Sequence, residues 1–415
     1  MEKSTDTLQA RQIMLTRGAF LWNHILRAPF WAVYNLLLFI LYKDLHASPF
    51  QIGLFIALKP GVSLLSMYWG HLVNQRPDRL ISNIIWASVI GYFPFFFFPF
   101  FYSSWFVLFG SAIYMMMHRG VVPAWMEILK LNLPKGTKEK VFSYGSILSY
   151  IIGALLPLVV GPILDHYVLA WRWFFVLTAF FGISAIFFIR KIPIPFVSKG
   201  KQKEHHLGQH LLHPWKSSIS ILSKRPDFRN YQIGFMLFGG CGLMIMQPAL
   251  PKFFVDVLAL SYTELSVALL ICKGAGFVLT SPLWARGMSR FNIFRFGGFV
   301  TTLGGLFPLV LLCGPLHIFF IYLAYFTYGV MQAGSELVWH LAGPHFAHDQ
   351  DSAPYSNLSI FAVGIRGLVI PQIGSFLIFY FPSTALLIAA AFLCLAGTLW
   401  MRRAYKQHLS PSLLN

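Results

Sequence analysis

The chain has 415 residues, of which 57% are hydrophobic and only 11% are charged, and its formal net charge is +18. This composition excludes an ordinary soluble globular protein, because stretches long and apolar enough to cross a bilayer recur along the whole sequence. The lysines and arginines are spread over separate segments rather than gathered in one, so we do not expect nucleic-acid binding.

Twelve transmembrane helices are predicted when the chain is divided at charges, polar turns and Pro or Gly clusters. A break at Ser103 and Ser104 is included because Pro94 and Pro99 cannot sit inside one continuous helix. The sequence therefore predicts an all-α polytopic membrane protein. The predicted spans are 18–42, 49–73, 80–100, 104–129, 141–164, 173–189, 231–254, 263–285, 294–314, 316–342, 355–380 and 383–401.

The positions of lysine and arginine predict the orientation of the chain. With both termini inside, the inner segments hold 24 of these residues and the outer loops hold three, namely Lys43, Arg172 and Lys252. The positive-inside rule then predicts cytoplasmic termini. Short loops also suggest a bacterial inner membrane.

The longest polar segment predicts the domain organisation: a six-helix bundle over residues 1–190, a cytoplasmic linker over 191–230 and a second six-helix bundle over 231–415. Apolar residues recur at helical spacing in the linker from Leu207 to Leu222, with Lys216 between them and Lys224 and Arg225 just after them. This pattern predicts an amphipathic helix on the inner membrane surface.

The two halves resemble each other in sequence. "YMMMHRGVVPAW" begins at Tyr114 and "YGVMQAGSELVW" begins 214 residues later at Tyr328, and the same offset places Lys59 on Lys273. Such matches indicate a duplicated six-helix unit with parallel halves.

On these grounds the sequence resembles the major facilitator superfamily over nearly its whole length. The loop "GHLVNQRPDR" is similar to that family's signature between helices two and three at Gly70, Leu72 and Arg79, but it departs from the signature at Asn74, Gln75, Pro77 and Asp78. The resemblance implies two pseudo-symmetric six-helix bundles and transport by alternating access. It also implies a gating loop that contains Gly70, Asn74, Arg76 and Arg79.

Seven charged residues remain inside the predicted spans once those next to the loops, such as Lys252 and Arg295, are counted with the loops. A charge at the bilayer centre costs about 2.5 to 3.5 kcal/mol, so it needs a partner, water or a ligand. Cations outnumber acids among them, which indicates an anionic solute. The cations are Arg27, Lys59, Arg119, Lys273 and Arg366, and the acids are Glu127 and Glu336.

We therefore predict a basic substrate-binding pocket. Arginine suits two-point contact with a carboxylate or phosphate, and lysine acts as a point charge. The alternative is that each cation is neutralised within the protein, with Arg366 paired to Glu336 and the lysines satisfied by carbonyl groups. The predicted substrate-binding residues are Arg27, Lys59, His118, Arg119, Lys273 and Arg366.

Candidate proton-coupling residues are Glu336, His340 and Glu127. Glu336 is the deepest of the three. For Glu127 an i,i+3 pair with Lys130 at the inner surface is an alternative role. Two histidine groups, His206–His213 and His345–Asp351, are interpreted as polar surface, so we expect no metal site and no other cofactor.

The preferred function is secondary transport of a small organic anion by a monomer in the lipid bilayer, with protons as the candidate coupling ion. No phosphate loop of the G-x-x-x-x-G-K-[ST] type is present, so direct use of ATP is not expected. One alternative is an exporter of hydrophobic or amphiphilic compounds. A membrane-embedded enzyme is a weaker alternative, since it would need a nucleophile or metal cluster near one interface.

Overall fold

The computed structural model describes residues 2–75, 79–134, 137–167, 169–194, 220–347 and 353–409. Every regular element in these ranges is helical. Ten continuous helices are α1 (Glu2–Lys43), α2 (Pro49–Gln75), α3 (Leu80–Tyr92), α4 (Ser104–Asn132), α5 (Thr137–His166), α6 (Ala170–Ser184), α9 (Ile293–Leu312), α10 (Ile318–Ala347), α11 (Ala353–Leu377) and α12 (Ser383–Leu409).

Two further helices contain π-helical segments. The helix α7 begins with Pro226–Phe235, and its π segments are Met236–Gly242 and Phe253–Val257. The helix α8 begins with Tyr262–Ser266, passes through the π segment Val267–Cys272 and ends with Lys273–Arg290. Such segments often occur at functional sites.

The predicted membrane fold is confirmed. Helices lie at all twelve predicted positions. Within the described ranges, eight helices are long and apolar enough to cross a membrane, and the bent α7 makes a ninth.

The described helices form two compact units. The first consists of Met1–Ala47, Val62–Gln202 and Ser261–Ser266, and the second of Ser48–Gly61, Lys203–Leu260 and Val267–Asn415. The start of α2 thus packs with the second unit, and the start of α8 packs with the first. The division predicted at 1–190, 191–230 and 231–415 stays a prediction. Residues 207–219 of the predicted surface helix lie outside the described part of the chain, and its last residues, 220–222, are helical.

Aromatic residues form much of each core. In the first unit, the buried ring of Phe30 lies 4.9 Å from Tyr92 and 4.5 Å from Tyr114, measured between centroids. In the second unit, the ring of Phe228 lies 5.1 Å from both Phe346 and Tyr355. These contacts hold helices distant in sequence against each other and bury large apolar areas.

The same local motif starts α2 and α8. Ser48 N donates to Gln51 Oε1 at 2.8 Å, and Gln51 N donates to Ser48 Oγ at 3.3 Å. Ser261 and Glu264 exchange the equivalent bonds at 2.8 and 3.1 Å. Each pair is a capping box that satisfies two amide groups at the helix start. The starts of α2 and α8, which correspond in the internal sequence repeat, therefore share this local structure.

Glycines allow α8 and α10 to approach closely. A Cβ atom at Gly276 would overlap Phe326 O, and one at Gly329 would overlap Lys273 O. Trp284 Nε1 also donates to Val330 O at 2.8 Å. Small residues at such crossings are typical of membrane helices, and here they fix the position of Lys273.

Candidate functional site

A cavity of about 340 Å³ lies in the first unit, among residues of α1, α4 and α5. Asn23 and Arg27 are four residues apart on α1, so they share one face of that helix with the adjacent His24. The helix α4 contributes His118, and α5 contributes Ser149. Two of the predicted binding residues, Arg27 and His118, are therefore brought together.

Arg27 carries the positive charge of this cavity. Its side chain is buried, with 8% of the residue exposed. Nη2 donates to Ser88 Oγ, and Ser88 Oγ donates to Ile84 O at 2.6 Å. Among the described residues, no carboxylate forms an ion pair with Arg27, and its Nε has no hydrogen-bond partner. A buried guanidinium without a counter-ion is suited to an anionic ligand.

Two histidines lie beside Arg27. His24 Nδ1 is hydrogen-bonded to Ser149 Oγ at 2.9 Å. A Cβ at Gly145 would lie 2.8 Å from His24 Cδ2, so glycine at this position of α5 makes room for the imidazole. The ring of His118 lies 5.0 Å from that of Trp31. Both imidazoles are thus held in place at the cavity wall.

Arg119 has a different environment from its neighbour His118. It is half-buried, and it is not one of the residues that line the cavity. Its Nε has no hydrogen-bond partner in the described part of the chain. The structure therefore does not join Arg119 to the Arg27 site.

The second unit contains a separate charged group. Lys273 Nζ lies 5.1 Å from the centroid of the Tyr328 ring. Lys59 and Glu336 are both near enough to act on Lys273 electrostatically. The repeat-related lysines are thus brought together, and Glu336 supplies a negative charge beside them.

Glu336 also has a local polar partner. Gln332 Nε2 donates to Glu336 Oε1 at 3.1 Å, one helical turn away on α10. Gln332 Oε1 has no partner among the described residues. The side chain of His340 is outside the described set.

Arg366 packs against the π-helical part of α7. Its Nη1 donates to Phe235 O at 3.2 Å. A Cβ at Gly239 would lie 3.1 Å from Nη1, and one at Gly240 would lie 2.9 Å from Cδ, so these glycines make space for the side chain. Arg366 and Glu336, both of which are described, do not form an ion pair.

The remaining candidates lie elsewhere or outside the described residues. Glu127 pairs with the exposed Lys130 at 3.3 Å, the i,i+3 arrangement. Arg79 is exposed and directly precedes α3. Gly70 and Asn74 lie in the last part of α2, where the side chain of Asn74 is not described, and Arg76 is outside the described residues.

Within the described ranges, no group of three or more His, Cys, Asp or Glu side chains is placed to hold a metal. His206, His210 and His213, and most of the His345–Asp351 segment, are not described. His345 itself is exposed at the end of α10, with its ring 5.2 Å from that of Phe346.

The sequence did not point to the neutral partners of Arg27 and His24, nor to Trp31 in the cavity wall. Ser88 is 61 residues from Arg27, and Ser149 is 125 residues from His24. A single serine in an apolar helix does not indicate a functional role, because its hydroxyl can donate to a backbone carbonyl of its own helix. Trp31 could have been found, since it follows Arg27 by four residues on the same helix face.

Solved structures with the same fold are membrane transporters. The chain aligns with a mutant of the nucleoside transporter NupG at a TM-score of 0.75 and 12% identity, covering 94% of this chain and 100% of that one. A POT family transporter in complex with 5-aminolevulinic acid gives 0.70 and 13%, covering 94% and 95%. A bacterial homologue of the lysosomal transporter Spinster gives 0.61 and 14%, covering 95% of each chain.

No curated protein matches the sequence. The family model described as Major Facilitator Superfamily matches residues 20–353, which is most of the chain. The predicted resemblance is confirmed by this match together with the all-helical fold. The chain belongs to the Major Facilitator Superfamily.

Proposed function

We propose that this member of the superfamily moves a small organic anion across the membrane. The observation that carries the proposal is Arg27, a buried guanidinium in a cavity of about 340 Å³ with no carboxylate among the residues that line it. Cavities of this size are typical of small-molecule sites. An anionic substrate would supply the missing counter-charge while bound.

The second unit offers a further place for negative charge. Lys273 and Lys59 lie close enough to interact, and like charges in a low-dielectric region repel each other. An anion beside them would relieve that repulsion. Arg366 is a weaker candidate for substrate contact, because its Nη1 already donates to Phe235 O.

Glu336 is our proposed proton site. Its carboxylate interacts electrostatically with Lys273 and accepts a hydrogen bond from Gln332 on its own helix. Protonation of Glu336 would change the charge balance around Lys273 by one unit. This change would link the affinity for an anion to the proton concentration.

The test is uptake of labelled organic anions into proteoliposomes, with and without an imposed proton gradient. Arg27→Gln and Lys273→Gln remove one charge each and keep a polar side chain. A charge-assisted hydrogen bond contributes about 1.5 to 3 kcal/mol, so we expect uptake efficiency to fall by about tenfold or more. Lys130→Gln is the matched control, because Lys130 is 68% exposed.

Glu336→Gln should abolish the response to the gradient and leave exchange of anion between the two sides of the membrane. Wild-type uptake by both charge variants would reject the anion site. Movement of neutral or cationic amphiphiles alone would favour the exporter alternative. Cytoplasmic termini, also a proposal, can be checked in the same system by protease access to each end of the chain.

A further inference from the structure

The cavity of the first unit has aromatic walls. The rings of Phe20 and Trp125 meet edge to face with centroids 5.2 Å apart, and the ring of Trp31 meets that of His118 at 5.0 Å. These rings support one another, so the walls are formed before a ligand enters. A flat apolar group would gain both buried area and ring contacts in such a space.

Three residues that line the cavity have buried polar atoms without hydrogen-bond partners in the described part of the chain. They are Asn23 Oδ1, Arg27 Nε and Trp125 Nε1. Asn23 and Trp125 are each only 5% exposed, and Arg27 is 8% exposed. A buried polar group left unpaired costs about 1 to 3 kcal/mol. Two of the three atoms are N–H donors, which an anionic headgroup would satisfy.

The single positive charge at the cavity is balanced better by a ligand with one negative charge than by a ligand with two. Arg27 is the one arginine, lysine or acid among the described lining residues. A single guanidinium pairs well with one carboxylate, and a dianion would keep an unbalanced charge in an apolar space. Inorganic phosphate and sugar phosphates therefore fit this cavity poorly.

The volume limits the size of the ligand. A water molecule occupies about 30 Å³ in the liquid, so a cavity of about 340 Å³ has room for roughly a dozen non-hydrogen atoms. A carboxylate with a short linker and one six-membered ring has this size.

We propose that the first-unit cavity selects monoanions with a flat apolar body, of the arylalkanoate class, with the carboxylate at Arg27 and the ring between Trp31 and Trp125. This inference rests on the proposed function, since it names the substrate class for the same site. Asn23 Oδ1 is left to accept a hydrogen bond from a hydroxyl or amino group on the ligand.

The test is direct binding to the purified full-length protein by titration calorimetry. The probe is 4-phenylbutyrate, and three matched compounds each change one feature of it. Butyrate lacks the ring, 4-phenylbutyramide lacks the charge, and a phenylalkyl phosphate carries a second negative charge. We expect each of the three to bind at least about tenfold more weakly than the probe.

Variants of Arg27 and Trp31 test the carboxylate contact and the ring contact separately. Aromatic pairs contribute about 0.5 to 1.5 kcal/mol beyond buried area, so Trp31→Leu should weaken binding of the probe by about two- to twelvefold, and binding of butyrate should not change. Arg27→Gln should remove the preference for the probe over its amide. Trp86→Leu is the control, because Trp86 is 62% exposed on α3 and is not part of the cavity.

Butyrate or the phosphate binding as tightly as the probe would overturn the inference, as would binding of the amide at the affinity of the acid. If uptake depends on Arg27 but is equal for anions with and without an aromatic ring, the proposed function is supported and this inference is rejected. Selective binding of the probe without any uptake would support the cavity assignment and reject transport. The two proposals therefore fail separately.

Discussion

Asp165, near the end of α5, accepts two hydrogen bonds from Thr263 at the start of α8, 98 residues later in the chain. Thr263 N donates to Asp165 Oδ2 at 3.1 Å and Thr263 Oγ1 donates to the same oxygen at 2.6 Å, while Tyr262 N donates to Oδ1 at 2.7 Å. The carboxylate thus caps a helix N-terminus, where negative charge is stabilising. A Cβ at Gly161 would lie 2.9 Å from Thr263 Cα, so the backbones also approach closely.

We expect Asp165→Ala to lower the free energy of unfolding by about 1 kcal/mol, the usual effect of losing a helix cap. Thr263→Val is the graded comparison, because it removes one of the three bonds and keeps both backbone donors. Thermal unfolding of the purified protein in detergent would measure both. An Asp165→Ala midpoint equal to that of the wild type would mean that water replaces the carboxylate without loss.

We expect Asp44 to make the stability of the first unit depend on pH. This residue follows α1 directly and is buried, and Tyr262 Oη donates to its Oδ2 at 2.9 Å. Burial raises the pKa of the Asp44 carboxyl, while the Tyr262 hydrogen bond and the charges of Lys43 and His46 act in the opposite direction. The folded protein therefore holds this proton more tightly than the unfolded chain does.

The free energy of unfolding should consequently fall as the pH rises from the unfolded-state pKa to the raised folded-state pKa of Asp44. We expect the thermal midpoint to decrease as the pH rises above about 4, the pKa of an unperturbed aspartate, and Asp44→Asn to remove part of that decrease. Glu127→Gln, at an exposed ion pair, is the control and should keep the wild-type slope. The same slope in Asp44→Asn would show that another group is responsible.

The positions of the helices were predictable from sequence, and the breaks inside them were not. Apolar run length decides whether a segment crosses a membrane, so all twelve positions were found. A π segment changes the hydrogen-bond pattern but not the hydropathy. The stretch Met236–Gly242 therefore looked like ordinary helix, although Gly239 and Gly240 leave the space that Arg366 fills.

The candidate site was predictable in its charges but not in their partners. An arginine such as Arg27 in an apolar run stands out because of its desolvation cost. Its partner Ser88 is on another helix, and only the packing of α1 against α3 brings the two together. The partner of Arg366 was not predictable either. Glu336, the acid considered as its partner, accepts a hydrogen bond from Gln332 instead.

Ser88 should act as a positioning residue for Arg27. Because Ser88 Oγ accepts from Arg27 Nη2 and donates to Ile84 O, it fixes the direction of the guanidinium. We expect Ser88→Ala to raise the KM for anion uptake by about fivefold, the equivalent of one hydrogen bond of about 1 kcal/mol, with the maximal rate unchanged. Ser88→Thr keeps the hydroxyl and should restore the KM.

A double variant shows whether Ser88 acts through Arg27. In an Arg27→Gln background, Ser88→Ala should have little further effect, because the side chain that it orients has already been replaced. Equal fold-changes in both backgrounds would mean that Ser88 affects uptake by another route. The readout in each case is the concentration dependence of uptake into proteoliposomes.

Two glycines on α8 give the sharpest test of helix packing. A Cβ at Gly276 would overlap the carbonyl oxygen of Phe326 on α10, and a backbone atom cannot move aside as a flexible side chain can. At Gly274, two residues away on the same helix, a Cβ would have no atom within 4 Å among the described residues.

We expect Gly276→Ala to lower the free energy of unfolding by about 1 to 3 kcal/mol, as overpacking usually does. Gly274→Ala should leave it unchanged or raise it by up to about 1 kcal/mol, since alanine favours helix more than glycine does. Thermal unfolding of both variants decides the matter, and an equal response at the two positions would contradict the close approach of α8 and α10 that holds Lys273 in place.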